Sequence, residues 1–71
     1  MKERLEQAKE EKKRVKLVFE YPNSNSAKVR RGIVKQCRIE DFDFEEDEDG
    51  YVTYKYKYLV EVKNDTLPHH K

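Results

Sequence analysis

The chain has 71 residues, 44% of them charged and 35% hydrophobic, with a formal net charge of +1, two glycines, two prolines and one cysteine. A chain this short holds at most one core, because folded domains rarely fall below about 50 residues. No stretch approaches the ~18 apolar residues of a membrane span, charges alternate through Met1–Arg14 where a signal peptide would be apolar, and the lone Cys37 excludes an internal disulfide, so the expectation is a cytoplasmic protein without membrane contact.

Residues 1–14 (MKERLEQAKEEKKR) are strong helix formers with no Gly, Pro or β-branched residue, and Glu6 with Glu10, or Glu10 with Arg14, carries charges at helical spacing. The expected helix has a thin apolar stripe, Leu5 and Ala8 continued by Val15, which leaves little surface to dock it and predicts fraying at its start. From Val15 the period becomes two. Val15, Leu17, Phe19 and Tyr21 share one face of a first strand, with Val18 the exception on the other. Pro22-Asn23-Ser24-Asn25-Ser26 ends it in a polar loop.

A long second β segment follows, with Val29, Ile33, Cys37 and Ile39 at odd positions and then Phe42 and Phe44 at even ones. Side chains alternate strictly along a flat strand, so that switch predicts a bulge, a sharp bend or two strands between Ile39 and Phe42, with Gly32 a second candidate bend. Glu45–Gly50 (EEDEDG) then reads as a hairpin turn, since Asp-Gly between alternating hydrophobics is a strong local signal. Beyond it Val52, Tyr54, Tyr56, Tyr58, Val60 and Val62 alternate with mostly polar residues, which predicts a strand or a pair of strands over 51–63.

The expected fold class is therefore mainly β: a small, strongly bent antiparallel barrel or half-barrel of four to five strands with a short N-terminal helix. The expected organisation is a helix over 1–14, a β domain over 15–63 and a flexible tail over 64–71.

Catalysis is poorly supported, and no enzyme is expected. His69 and His70 fall in the tail, Cys37 reads as a small core residue, and Gly32 and Gly50 make no phosphate loop. Glu45, Asp47, Asp49 and Gly50 imitate part of a calcium loop, but its most demanding ligand would be Tyr56, so a solvated turn explains them better; neither metal nor cofactor is expected.

The charge is segregated. Residues 1–31 carry ten Lys/Arg against five Asp/Glu, and residues 32–50 two against eight. The candidate nucleic-acid or anion-binding residues are Lys12, Lys13, Arg14 and Lys16, leading into the first strand, and Lys28, Arg30 and Arg31, opening the second. Antiparallel pairing can bring these clusters side by side, but it can equally pair them with the acids. Arg31 shares the parity of Val29 and Ile33, which predicts that it points inward, at a barrel mouth or against Asp41 or Asp43, unless Gly32 resets the register. The competing expectation is a protein-interaction or self-assembly module that uses a strand edge or an apolar patch around Val18 and Leu59.

The run VKLVFEY, the basic strand Lys28-Val29-Arg30-Arg31-Gly32-Ile33-Val34 and the acidic, aromatic stretch Ile39–Phe44 resemble small SH3-like and Sm-like barrels, and within them WYL domains. The namesake Trp-Tyr-Leu is represented by Lys57-Tyr58-Leu59, and no proline follows the arginine strand. The resemblance implies a small barrel, and ligand sensing at Arg30 or Arg31.

Overall fold

In a computed structural model, which describes residues 2–65, the chain forms one helix and five antiparallel strands. Helix α1 spans Lys2–Glu11; β1 is Arg14–Phe19, β2 Lys28–Cys37, β3 Asp41–Glu46, β4 Gly50–Lys55 and β5 Leu59–Asn64, with a single 3-10 turn, Tyr56–Tyr58, between the last two strands. The sheet order is β4-β3-β2-β1-β5, so the sheet is a half-barrel with β4 and β5 as its two edges. No helix among the described residues is long and apolar enough to cross a membrane.

Alternation explains β1 and β3 directly. Val15, Leu17 and Phe19 on one strand, and Phe42 and Phe44 on the other, bury the same face. Burying each phenylalanine contributes about 1.5–3 kcal/mol. The aromatic rings interlock: Phe19 lies 4.6 Å from Tyr54 and Phe42 5.3 Å from Tyr56, centroid to centroid, and Tyr54, Tyr56 and Tyr58 are half-buried against this core. Tyr54 covers the apolar face from β4, whereas Tyr56 and Tyr58 reach it from the 3-10 turn, which interrupts the β structure expected over 51–63.

Strand β2 departs from the expected parity. Val15 pairs with Gly32 and Leu17 with Arg30, so even positions of β2 face inward and Val34 is buried, while Val29 is exposed. A bulge between Val34 and Gln36 resets the alternation and turns Cys37 toward the core. Of the bulge, bend or two strands expected between Ile39 and Phe42, the chain forms two strands, joined by a turn at Arg38–Glu40, whose Ile39 is 85% exposed. At Gly32, the second candidate bend, the backbone of β3 comes close instead: a Cβ there would stand 2.0 Å from the Glu45 carbonyl oxygen.

The helix is shorter than expected and better docked. It stops at Glu11 because Lys12 adopts φ 55°, and the Lys12 and Lys13 amides return to the carbonyls of Lys9 and Ala8. Leu5 is fully buried and Ala8 nearly so, and two residues one turn apart are enough to seat a ten-residue helix on the sheet. At the other end the fold outlasts the expected boundary at residue 63. Asn64 completes β5, and the Asp65 amide donates to the Arg14 carbonyl. Leu59 and Val62 are both buried although they differ in parity, since β5 is irregular opposite Val18 and Phe19, and this leaves Val60 exposed. The expected apolar patch around Val18 and Leu59 therefore does not form: Leu59 faces the core, and Val18 lies on the outer face between Val29 and Glu61. His69 and His70 lie outside the described residues.

Candidate polyanion-binding face

The pairing of β1 with β2 brings the two basic clusters together. Lys16 lies opposite Arg31 and Arg14 opposite Ile33. On its other side Lys16 faces Lys63 of β5, so Arg31, Lys16 and Lys63 form a row of cations across three neighbouring strands on the outer face. Lys63 was absent from the sequence-derived candidates. Its contribution depends on the first strand pairing with the last, which no local pattern announces.

Acids neutralise much of the rest. The Arg14 guanidinium grips Asp47 with both terminal nitrogens, Nη1 donating to Oδ1 at 2.9 Å, and Nη2 also reaches Asp65 Oδ2 at 3.3 Å. Beside this guanidinium the Asp47 carboxyl is held below its usual range. Arg31 Nε lies 3.8 Å from the other oxygen of Asp65, a nearly buried side chain. Lys13 is 3.3 Å from Glu11, and Lys63 is 3.3 Å from Glu61. Among the described residues no carboxylate comes within 4 Å of Lys12, Lys16 or Lys28. Lys12 occupies the helix stop, and Lys28 begins β2 opposite Phe19, away from the row.

The orientation of the two central arginines is the reverse of the expected one. Arg31 points outward, and Arg30 turns toward the inner face, where its Nε stands 3.4 Å from Glu46 Oε1. The Glu46 side chain is only 4% exposed, and Oε1 has no hydrogen-bond donor. Burial raises its pKa, Arg30 opposes the rise, and Asp49 adds to it. Asp41 and Asp43, the acids expected beside Arg31, are held by Arg38: its Nε donates to Asp41 at 2.6 Å, and its two terminal nitrogens donate to Asp43 at 3.0 and 2.6 Å. Phase decides this exchange, since an inner face set by Gly32 and Val34 puts every odd residue before the bulge outside.

Cys37 is half-buried against the core, and among the described residues no three His, Cys, Asp or Glu side chains are grouped to hold a metal ion. The acidic tip forms the β3–β4 turn, where Gly50 supplies the required positive φ of 75°. Searches against protein-family models, curated proteins and solved structures find no match to this chain.

Proposed function

We propose that the chain is a small noncatalytic binding module, of SH3-like or Sm-like barrel type, that holds single-stranded nucleic acid against the row Arg31–Lys16–Lys63. The observation that carries this reading is the register: Lys16 stands directly between two cations. Like charges opposed across strands are destabilising, and an external polyanion relieves the repulsion that Asp65 and Glu61 offset in part at the ends of the row. Of the tyrosines, Tyr51 is the most exposed at 65%, and it sits on the same outer face as the row; the stripe from Tyr54 to Tyr58 is committed to the core. Phosphate contacts then dominate and sequence preference is weak. The lone half-buried thiol of Cys37 suits a reducing cytoplasm. Sensing of a small ligand at Arg30 is less favoured, because that guanidinium already faces Glu46.

The test is fluorescence anisotropy with a single-stranded oligonucleotide at two salt concentrations. Three phosphate contacts give a log–log slope near −2, or about 20-fold weaker binding on going from 50 to 200 mM salt, and Lys16→Ala removes about a third of that slope. Absence of binding at the lower salt, or binding indifferent to salt, rejects the reading.

A further inference from the structure

The two edges of the half-barrel are not equivalent. Along β5, α1 is close at hand: Arg4 Nη2 donates to the Val62 carbonyl at 3.2 Å, and helix and strand share a groove lined by Arg4, Gln7, Ala8, Val62 and Asn64. The β5 ladder is also irregular near Val60. Strand β4 has none of these protections. Its pairing with β3 runs without a shift from Glu46–Gly50 to Asp41–Lys55, it contains no proline, and its one charge, Lys55, is at its end. Natural sheets blunt their edges with charge, proline, bulges or a covering element, and β4 shows a regular, uncovered backbone instead.

From this edge we infer that β4 pairs with β4 of a second copy of the chain, antiparallel, about a twofold axis through Thr53. Sequence and register select that axis. With Thr53 opposite the second copy's Thr53, Val52 falls opposite Tyr54 on the inner face and Tyr51 opposite Lys55 on the outer face, each pair occurring twice. A β-branched residue against an aromatic is a favourable cross-strand pair, the tyrosine ring covers the lysine stem, and no like charges meet. Val52 and Tyr54 are half-buried in the single chain, so pairing withdraws further apolar surface from water. The contact is isologous and therefore closes at two copies. Six residues per copy make a short ladder, so the dimer is reversible and concentration-dependent rather than permanent. β4 carries none of the cation row, so the inference fails or stands separately from the polyanion reading, with Tyr51 the one residue that both involve.

Sedimentation equilibrium of the full chain tests it. The wild type dimerises reversibly; Thr53→Lys and Thr53→Asp each weaken the dimer about tenfold by opposing like charges on the axis, and an equimolar mixture of the two variants restores association. Circular dichroism verifies that both variants fold. A wild type that remains monomeric up to about 1 mM overturns the inference. So do single variants that associate like the wild type, or a mixture no tighter than its components. Should Thr53→Asp unfold, Thr53→Cys in a Cys37→Ser background replaces it: mild oxidation links two copies at position 53, and Lys63→Cys in the same background stays unlinked. Preferential linking through position 63 overturns the inference.

Discussion

Gly32 and Glu45 approach so closely that a methyl group on the glycine would overlap the glutamate carbonyl, 2.0 Å from its oxygen. The obstacle is backbone, which cannot swing aside as a side chain can, so β2 and β3 must part if the glycine is replaced. Gly32→Ala is expected to cost on the order of 3 kcal/mol or more in urea unfolding. Gly50→Ala meets no atom within 4 Å and pays only for its φ of 75°, about 1–2 kcal/mol. Equal losses at the two sites would show that the close approach is not what requires Gly32.

The opposite sign is expected at Lys12. A lysine at φ 55° occupies the left-handed position that glycine fills without penalty after a helix, and its ammonium has no carboxylate partner within reach among the described residues. Lys12→Gly should raise stability by about 1 kcal/mol in the same assay, whereas Lys12→Val should lower it.

Of the two residues that seat the helix, Leu5 is the larger and the more deeply buried. Leu5→Ala removes a fully buried residue between α1 and the sheet, and a loss of about 2–5 kcal/mol is expected. A loss below about 0.5 kcal/mol, the scale of a surface substitution, would show that the helix is dispensable.

Glu46 gives the protein a pH dependence of definite sign. Its carboxyl pKa is raised in the folded chain above the ordinary 4.5, chiefly by burial, so the folded state holds this proton more tightly than the unfolded state does. The stabilising contribution is complete below pH 4.5 and fades as the pH rises through the higher folded value. Glu46→Gln should therefore gain on the order of 1 kcal/mol at pH 7, about 4–8 °C in Tm for a domain this small, and the advantage should disappear below pH 4.5. A glutamine variant less stable at pH 7 would mean that the attraction of Arg30 outweighs burial.

Asp47 restrains Arg14, two residues before Lys16 on β1 and next to the proposed binding row. Asp47→Asn frees the Arg14 guanidinium from its two-point grip, leaving Asp65 as its remaining partner. Oligonucleotide affinity at 50 mM salt should rise several-fold and the salt slope should steepen by about 0.7, one additional phosphate contact. Unchanged affinity would place the bound strand away from Arg14.

Strict alternation made most of this fold legible. Val15, Leu17 and Phe19, then Phe42 and Phe44, marked their buried faces without help from tertiary structure, and Asp49-Gly50 marked the hairpin. Strand β2 departs from its expected phase because its apolar residues are sparse: Val29, Ile33 and Cys37 outvote Val34 in a parity count, and the one-residue bulge between Val34 and Gln36 is silent in the sequence. That single error of phase exchanged Arg30 with Arg31. The basic clusters were visible as composition, but their neutralisation by Asp47 and Asp65 and their extension to Lys63 depend on long-range pairing.

The 3-10 turn Tyr56–Tyr58 carries the chain from one rim of the sheet to the other in three residues. Up to that turn each strand pairs with its neighbour in sequence, whereas Leu17 meets Val62 across nearly the whole length of the sheet. Pairing of such long range is expected to form late, and without β5 in place β1 is itself a bare rim that a strand from a neighbouring molecule can occupy. Production yield and tolerance of crowding should thus be governed by how quickly the final strand is delivered, a property held by a connector of three residues.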